Sequence, residues 1–361
     1  MRSATTSIVC FAFLLSAIVP AIPADACTSF LIKHPDGPLM AKNYDWDVAD
    51  GFLVVNPRSL SKTALVAEGL TPVRWSSRYG SVTFNQYGRE FPLGGMNEVG
   101  LAMEVLWLDG TEYPDAAGRR SIGTLQWVQY CLDSYRSVDD VVASASELAI
   151  SGTASVHFLA CDATANCAVI EFLDGTLVSR SERTLPLPVL TNNTFAESLD
   201  YLNLTLGYGG EPVEPKGTGS LARFARAANG SHRARTTPGG NRINDAFAVL
   251  ADVAQPDSTQ WSIVYDLRGR TVHYRTAANP KTRTFTMRGV DLECSGHTVV
   301  ADLLADGEGP AVMKPFSGEA NRAVIEAAFA AEALKAPAPE VIDAMATYSD
   351  HVRCIFEPHV D

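Results

Sequence analysis

Short runs of alternating or continuous apolar residues recur between Thr28 and Leu108 and predict β-strands. Asp36-Gly37 separates the first two runs, and such a dipeptide between apolar stretches is typical of a tight β-hairpin. The strands are predicted at Thr28–His34, Leu39–Asn43, Phe52–Val55, Ser81–Gln86 and Gly100–Leu108. This part of the chain is therefore expected to be mostly β.

Helical periodicity follows, and strands and helices then return in blocks. Two helices are predicted near Ile122–Tyr135 and Val138–Leu148, with Ser137 as the N-cap of the second. Later strands are predicted at Ser155–Ala160, Ala168–Leu173, Thr176–Ser179, Val189–Asn192, Trp261–Asp266, Thr271–Thr276 and Thr282–Arg288. Later helices are predicted at Ala196–Asn203, Ser220–Ala228 and Ile243–Val253. Beyond Asp291 the chain is Ala-rich and predicted to be helical, with a break at Ala336–Pro339.

The order of these blocks predicts an α+β fold in which helices cover the outer faces of two sheets. A parallel βαβ fold would alternate single strands with single helices, and this chain does not. Two segments rich in Gly and Pro, Leu206–Gly219 and Thr236–Asn241, are predicted to be surface loops. We treat residues 27–290 as one domain and residues 291–361 as its C-terminal helical extension.

The first twenty-six residues have the pattern of a signal peptide. Arg2 gives a short positive region, Ile8–Val19 is an apolar run of twelve residues, and Ala24-Asp25-Ala26 is a small-x-small cleavage site. The run is shorter than the roughly 20 residues that span a bilayer, and an uncleaved membrane anchor is the alternative interpretation. We expect an exported protein, periplasmic or secreted, without a membrane span and with Cys27 as its mature N-terminus.

Composition and charge narrow the function classes. The chain is 46% apolar and 19% charged, as in ordinary globular proteins, and its formal net charge is −12. It contains no Lys/Arg block, which argues against nucleic acid or an anionic membrane surface as a partner. The sequence contains no His-Glu-x-x-His pair, Gly-x-Ser-x-Gly elbow, phosphate-binding loop or dinucleotide fingerprint, so it implies no metal and no other cofactor.

The six cysteines that follow the predicted signal peptide differ in their surroundings. Two flank a short polar turn between predicted strands and two bracket the C-terminal region, so the favoured disulfides are Cys161–Cys167 and Cys294–Cys354. Cys131 falls at helical spacing with apolar neighbours and is predicted to be a core residue. The cysteine at the cleavage site is then unpaired, although sequence alone does not fix the connectivity.

Cleavage before Cys27 would place two reactive groups on one residue, a thiol and a free α-amine. An α-amine has a pKa of about 8 and can accept the thiol proton near neutral pH without a histidine. Cys27 is therefore the candidate nucleophile. A half-cystine and a lipid-anchored cysteine are the alternatives, and lipidation would block the amine.

Several short segments occur in a fixed order between Cys27 and Arg288. They are Cys27-Thr28-Ser29-Phe30, Asp36-Gly37, Ala41-Lys42-Asn43-Tyr44-Asp45-Trp46, Gly95-Met96-Asn97-Glu98-Val99-Gly100-Leu101, Val189-Leu190-Thr191-Asn192, Leu221-Ala222-Arg223-Phe224 and Gln260-Trp261-Ser262. Together they resemble the choloylglycine hydrolase family of N-terminal-nucleophile amidases, which includes bile salt hydrolases and penicillin V acylases. The resemblance implies a four-layer αββα sandwich, a linear amide substrate, a homotetramer and no cofactor.

The same resemblance implies roles for individual side chains. Cys27 would be the nucleophile and, through its amine, the base, while Asp45 would orient the α-ammonium group. Asn192 would donate a side-chain N–H to the tetrahedral oxyanion, and Arg223 would lower the pKa of the thiol. Taken singly, Asp45 also fits a turn carboxylate, Asn192 a glycosylation sequon and Arg223 a surface residue, so the assignments depend on the joint occurrence.

The chain departs from the family pattern at two positions. Lys42 stands where the family usually has arginine, which keeps the charge but loses the planar fork for bidentate contacts. Trp107 stands where bile salt hydrolases usually have asparagine, so a side-chain amide donor is missing there. Trp46 and Trp107 instead suggest an aromatic wall that would bind a phenoxyacetyl or fatty acyl group.

Two functions from different classes are compatible with these residues. The first is an exported amidase that forms a thioester at Cys27, similar to penicillin V acylases and N-acyl-homoserine lactone acylases. A bile salt hydrolase-type amidase is the variant with a steroid conjugate as substrate. The second is a non-catalytic, lipid-anchored protein that binds acyl ligands, which the departures at Lys42 and Trp107 favour. We adopt the amidase because the predicted cleavage site directly precedes the cysteine.

Overall fold

The computed structural model describes residues 27–205, 216–236, 240–294, 298–330 and 337–355. Within these ranges the chain forms 21 β-strands and seven α-helices. The strands are β1 (Thr28–Ile32), β2 (Leu39–Asp45), β3 (Phe52–Asn56), β4 (Leu60–Thr63), β5 (Arg74–Ser76), β6 (Ser81–Asn85), β7 (Pro92–Asn97), β8 (Ala102–Trp107), β9 (Ser121–Gly123), β10 (Ala149–Ser151), β11 (Val156–Cys161), β12 (Cys167–Leu173), β13 (Thr176–Ser181), β14 (Val189–Leu190), β15 (Thr259–Asp266), β16 (Thr271–Thr276), β17 (Arg283–Thr286), β18 (Val299–Asp302), β19 (Gly309–Pro310), β20 (Lys314–Pro315) and β21 (Arg353–Cys354). The helices are α1 (Thr124–Ser134), α2 (Val138–Glu147), α3 (Phe195–Asn203), α4 (Ser220–Thr236), α5 (Arg242–Asp252), α6 (Gly318–Phe329) and α7 (Pro339–Thr347). The predicted signal peptide, residues 206–215 of one predicted loop and residues 237–239 of the other lie outside the described residues.

The first sheet contains the predicted N-terminal hairpin, next to its edge strand β14. Its described strands run in the order β14-β1-β2-β15-β16-β17-β19, and neighbours are antiparallel except for β17 and β19. Ile32 pairs with Leu39 across the Asp36-Gly37 turn, which confirms the predicted hairpin. Gly37 has a φ of +134°, a backbone conformation that residues with a Cβ rarely adopt. The turn thus fixes the register of β1 against β2.

The second sheet alternates its side chains between two cores. Its described strands run antiparallel in the order β13-β12-β11-β8-β7-β6-β3-β18-β20. In β11, Leu159 and Cys161 belong to the core that also contains residues of the first sheet, whereas Phe158 and Ala160 belong to the core beneath α1 and α2. This two-residue period is the one expected for a strand buried on both faces.

Helices cover the outer faces of both sheets. On the first sheet α4 packs on β1 and α5 on β2, with α3 beside α4. On the second sheet α1 packs on β7 and β8, and α2 on β12. The predicted four-layer αββα architecture is therefore confirmed, and the space between the sheets is filled from both sides by buried apolar residues.

Some elements differ from the predictions for identifiable reasons. Helix α4 continues eight residues past the predicted end at Ala228, through Asn229-Gly230. A Cβ at Gly230 would lie 2.8 Å from Val249 of α5, so this glycine allows the two helices to approach closely instead of ending the first. Nine described strands were not predicted: β4, β5, β7, β9 and β10, together with the four strands β18, β19, β20 and β21 of the C-terminal region.

The prediction of a purely helical C-terminal region was wrong for its first part. β18 adds to the second sheet, where Val300 pairs with Val54 of β3. Strand β3 would otherwise present unpaired backbone groups on that side, and pairing with the Val299-Val300 run satisfies them. Helices α6 and α7 follow, and the predicted Pro-containing break ends where Pro339 begins α7.

This C-terminal region packs against residues 87–91, which we call the β6–β7 loop. The side-chain oxygen of Asn321 accepts a hydrogen bond from the backbone N–H of Arg89 at 2.9 Å. The ring of Tyr87 lies 5.2 Å from that of Phe329, and the ring of Phe91 lies 5.4 Å from that of Tyr348. The loop is thereby held by α6 and by the turn that follows α7.

Both predicted disulfides are present. Cys161–Cys167 joins β11 to β12 at their shared end, and Cys294–Cys354 joins the segment before β18 to β21. Cys131 is free and fully buried in the core beneath the first helices, as predicted. Cys27 is also free, which leaves its thiol available for chemistry.

Candidate active site

Strand register brings the candidate residues to one end of the first sheet. Cys27 directly precedes β1 and is 5% exposed. Thr28 pairs with Asn43, so Asp45 at the end of β2 lies beside the residue that precedes β1. Ser29 pairs with Leu190 of β14, and the chain beyond β14 therefore passes Cys27 as it reaches residue 192.

Arg223 joins the candidate nucleophile to the candidate oxyanion donor. Its guanidinium is fully buried in the first turn of α4. Nη1 donates to the carbonyl oxygen of Cys27 at 2.8 Å and to Oγ1 of Thr28 at 2.6 Å, while Nη2 donates to Oδ1 of Asn192 at 3.0 Å. The planar fork thus fixes two backbone segments relative to one another.

The amide of Asn192 has a single chemically consistent orientation. A guanidinium can only donate, so Oδ1 must face Arg223, and a carbonyl can only accept, so Nδ2 must face Trp107. Nδ2 donates to that carbonyl at 2.8 Å, and the backbone N–H of Asn192 donates to Oγ of Ser220 at 2.9 Å. One hydrogen of the Nδ2 group is left to donate to a bound substrate.

Asp45 is a buried carboxylate with defined partners. Thr259 donates to Oδ1, and Gln255 Nε2 donates to Oδ2 at 3.1 Å. Burial raises the pKa of Asp45 to about 6, although these hydrogen bonds and the charges of Arg223 and Lys42 act in the opposite direction. The group is therefore ionised at neutral pH and protonated in mildly acidic solution.

The thiol of Cys27 is buried and resists ionisation. Sγ lies 4.0 Å from the backbone carbonyl oxygen of Asp45. Burial raises the pKa of Cys27 to about 11, even though the cations Lys42 and Arg223 favour the thiolate. At neutral pH only about one thiol in 10⁴ would be ionised at that value, so nucleophilic attack requires a base at the site.

Lys42 is oriented toward protein groups between the two sheets. Its Nζ lies 2.8 Å from Oε2 of Glu104 and donates to the carbonyl oxygen of Val105 at 2.6 Å. The hydroxyl of Tyr265 donates to the other oxygen of Glu104 at 2.5 Å, and all three ionisable side chains are buried. Lys42 therefore contributes positive potential to the thiol while its ammonium is held by the protein.

Glu104 is a site residue that the sequence analysis did not find. It lies in a predicted strand at a position where a charged residue looks solvent-facing. The sequence feature that could have indicated a buried Glu104 is Gly94 in the neighbouring strand β7. A Cβ at Gly94 would lie 2.2 Å from the Glu104 carboxylate, so this position needs a glycine. The sequence analysis also missed Gln255 and Thr259, which hydrogen-bond Asp45. They lie before and at the start of β15, 210 or more residues from Asp45 in sequence.

Aromatic side chains form one side of the site. The ring centroids of Trp46 and Trp107 are 6.0 Å apart, and Tyr44 lies behind Trp46 at 6.5 Å. Trp46 is buried and Trp107 is partly exposed. Burial raises the pKa of Tyr87, and the nearby thiol of Cys27 raises it further, which places the β6–β7 loop beside the nucleophile.

Two facing, mainly antiparallel sheets between helical layers, with a cysteine directly before β1, form the architecture of the N-terminal-nucleophile hydrolases of linear amides. A sequence model described as acyl-coenzyme A:6-aminopenicillanic acid acyl-transferase matches residues 32–289. The chain belongs to this family, together with the choloylglycine hydrolases and penicillin V acylases.

Individual relatives agree with this assignment. A penicillin V acylase from Pectobacterium atrosepticum is 26% identical over 87% of this chain and 94% of its own length. The solved structure of penicillin V acylase from Agrobacterium tumefaciens is similar with a TM-score of 0.71, at 27% identity, over 81% of this chain and 98% of that one. A conjugated bile acid hydrolase mutant from Clostridium perfringens has a TM-score of 0.64 at 18% identity, over 79% of this chain and 98% of that one, and shares the fold.

Two further features concern the helices and the metal-ligating side chains of the described residues. None of the helices in the described ranges is long and apolar enough to cross a bilayer. Within the same ranges, no group of three or more His, Cys, Asp or Glu side chains is arranged to hold a metal ion.

Proposed function

We propose that the chain is exported, is cleaved before Cys27, and hydrolyses linear N-acyl amides through a thioester on that residue. The observation that carries the proposal is the buried guanidinium of Arg223, which hydrogen-bonds both the Cys27 carbonyl and the Asn192 amide. This contact fixes a thiol and an amide N–H donor in one rigid network. Such an arrangement is what attack on a carbonyl and stabilisation of its oxyanion require.

In the proposed reaction the free α-amine of Cys27 takes the thiol proton, and Sγ attacks the acyl carbonyl. Negative charge then develops on the carbonyl oxygen, where Nδ2 of Asn192 donates its remaining hydrogen. As the C–N bond breaks, the α-ammonium returns the proton to the departing amine. Water deprotonated by the same amine next hydrolyses the thioester, releasing the acid and regenerating the thiol.

Asp45 and Lys42 have supporting roles in this proposal. The buried carboxylate of Asp45 keeps acceptor capacity beyond Thr259 and Gln255, and it would hold the α-ammonium in place. Lys42 would favour the thiolate by its potential alone, because its ammonium is occupied by Glu104 and the Val105 carbonyl. The Lys42 ammonium would therefore not bind an anionic group on the substrate.

The acyl half of the substrate is proposed to be aromatic or a fatty chain. Trp46 and Trp107 lie together beside the nucleophile, and flat apolar groups suit such a surface. Similarity to two penicillin V acylases at 26% and 27% identity supports penicillin V, a phenoxyacetyl amide, as the first compound to test. The aromatic surface makes N-acyl-homoserine lactones, which are fatty acyl amides, the second class to test. A conjugated bile acid is the contrasting substrate, since the corresponding neighbour shares only the fold.

Two measurements test the proposal. N-terminal sequencing and intact mass of the exported protein should give a chain that starts at unmodified Cys27, in the periplasm or the medium. That protein should hydrolyse phenoxyacetyl or fatty acyl amides, and a correctly processed Cys27→Ala variant should be inactive. Cys131→Ala is the matched control, because Cys131 is free and buried on the inner face of α1, and it should retain activity. A lipid-blocked terminus, or activity in Cys27→Ala, would overturn the amidase mechanism.

A further inference from the structure

A buried histidine and a buried glutamate lie directly behind the loop that carries Asn192. His157 is on β11 and Glu171 is on the neighbouring strand β12, and both are at most 1% exposed. The proposed reaction does not use either side chain. Burying two ionisable groups without a partner is costly, so their contacts identify what they do.

The pair holds the two ends of a short turn. Nε2 of His157 lies 2.7 Å from the carbonyl oxygen of Thr191, the residue before Asn192. Oε1 of Glu171 accepts the backbone N–H of Phe195, the first residue of α3, at 2.9 Å. Residues 191–195 are thereby attached to the second sheet at both ends, and the amide of Asn192 projects from between them.

A third contact joins His157 directly to Glu171. Nδ1 of His157 lies 3.3 Å from the same Glu171 oxygen. The Thr191 carbonyl can only accept, so Nε2 must carry a hydrogen. The Nδ1–Oε1 contact then needs a second proton between the two groups, because two lone pairs would repel. One imidazole and one carboxyl group thus form a continuous hydrogen-bonded bridge from the second sheet to the turn.

We propose that His157 and Glu171 are positioning residues that hold the turn at 191–195 so that the Asn192 amide meets the developing oxyanion. The inference rests on the proposed role of Asn192. Arg223 and Ser220 hold Asn192 from the side of α4, and the histidine–glutamate bridge holds its backbone from the opposite sheet. An oxyanion donor acts only within a narrow distance of the reacting oxygen, so a loosened turn lowers turnover more than binding.

The test compares His157→Leu with His157→Gln in the processed protein. Leucine fills a similar volume without a donor, whereas the glutamine amide can donate to the Thr191 carbonyl. His157→Leu should lower kcat on the order of 10- to 100-fold with KM within about threefold, and His157→Gln should recover most of the loss. If His157→Leu folds poorly, Glu171→Gln and Glu171→Ala give the same comparison from the other side of the bridge.

Ser144→Ala is the matched control for stability. Ser144 of α2 is 2% exposed and accepts a hydrogen bond from Nε1 of Trp127 of α1 at 3.1 Å. Loss of this acceptor should lower the melting temperature while leaving kcat within about threefold of wild type. Equal effects of His157→Leu and Ser144→Ala on melting temperature with no loss of kcat in either would overturn the positioning role.

Crystal structures of the variants separate this inference from the proposed function. In His157→Leu the Asn192 side chain should lose its hydrogen bond to the Trp107 carbonyl, and in His157→Gln it should keep it. An unmoved Asn192 in His157→Leu contradicts the positioning role even if the wild-type protein is a good amidase. A displaced Asn192 supports the positioning role even if wild-type protein cleaves none of the amides tested, in which case the proposed function alone fails.

Discussion

At the residue scale, the site consists of buried charges that hold one another at defined positions. Arg223 contacts two backbone segments, Lys42 is paired with Glu104, and Asp45 is ionised only above its raised pKa. Each group is removed from water, so each one depends on its partner more strongly than a surface pair would. Single substitutions at these positions therefore show how far each group contributes to catalysis and how far it contributes to the stability of the fold.

Asp45→Asn should remove activity without destabilising the protein. Folding raises the pKa of Asp45 from its usual 3.8 to about 6, so burial favours the protonated form. The stability that this group contributes is fully present below pH 4 and is lost as pH rises through 6. At pH 8 a neutral asparagine should melt at or above the wild-type temperature, while kcat/KM falls by about 10² or more.

The wild-type pH profile checks the same carboxylate. Asp45 must be ionised to hold the α-ammonium, and that cation lowers the carboxyl pKa from its value of about 6 without it, so kcat/KM should decline as pH falls below 6. A profile that is flat down to pH 4, or an Asp45→Asn protein that keeps wild-type activity, would contradict the role proposed for this residue. Thermal melts at pH 5 and pH 8 supply the accompanying stability values.

Glu104→Gln should destabilise the protein far more than the paired replacement. The single change leaves the ammonium of Lys42 buried without a counter-charge, a loss of about 3–5 kcal/mol in the free energy of unfolding. Lys42→Met combined with Glu104→Gln removes both charges and should recover most of that stability. Urea denaturation of the four proteins of this cycle measures the coupling, and additive effects would show that the pair is not coupled.

At the element scale, local patterns predicted the strands of the first sheet well and the sheet edges poorly. The Asp36-Gly37 turn and the apolar runs on either side specify the β1–β2 hairpin, whose register places Asp45 beside Cys27. The strand at Val299–Asp302 was predicted as helix because its Ala-rich surroundings favour helix locally, whereas β3 supplies the pairing that decides its structure. Such a pairing between residues about 245 positions apart leaves no local pattern to read.

The same reasoning explains which site residues were predicted. Cys27, Asp45, Asn192 and Arg223 were identified through short motifs and a family resemblance, and the structure brings them into one network. Glu104, Gln255 and Thr259 act on those residues from other strands. Their spacing along the chain has no period, so only the folded structure reveals them.

Removing the two disulfides should affect stability unequally. Cys294–Cys354 closes a loop of sequence separation 60, and Cys161–Cys167 one of separation 6. By the loop-entropy relation, loss of the first costs about 4 kcal/mol and loss of the second about 2 kcal/mol. Denaturation of the two Cys→Ser double variants measures the difference, and equal losses would show that loop entropy does not dominate here.

At the scale of the whole molecule, the C-terminal region packs against a loop that lies beside the active site. The β6–β7 loop lies between them, with Tyr87 near the nucleophile on one side and against Phe329 of α6 on the other. The same loop is held by Asn321 at the backbone of Arg89. A change in α6 can therefore reach the site through Tyr87 without altering any residue that would take part in the reaction.

Phe329→Ala should weaken binding of bulky acyl groups while leaving the chemical step intact. Removing the ring takes away the support of Tyr87, so KM for an aromatic or long acyl amide should rise about three- to tenfold with kcat nearly unchanged. Tyr130→Ala is the control, because that partly buried ring lies 5.6 Å from Trp75 and belongs to α1 on the outer face of the second sheet. Equal KM values for wild type and Phe329→Ala would show that the C-terminal region does not influence the site.

The position of α6 also bears on how such an enzyme changes over evolutionary time. The family match ends at residue 289, whereas the helix that supports Tyr87 begins at Gly318. Residues 318–329 supply none of the groups proposed to react, yet they support the loop that lies beside them. A substitution in this helix can therefore change substrate preference while the proposed nucleophile, base and oxyanion donor stay in place.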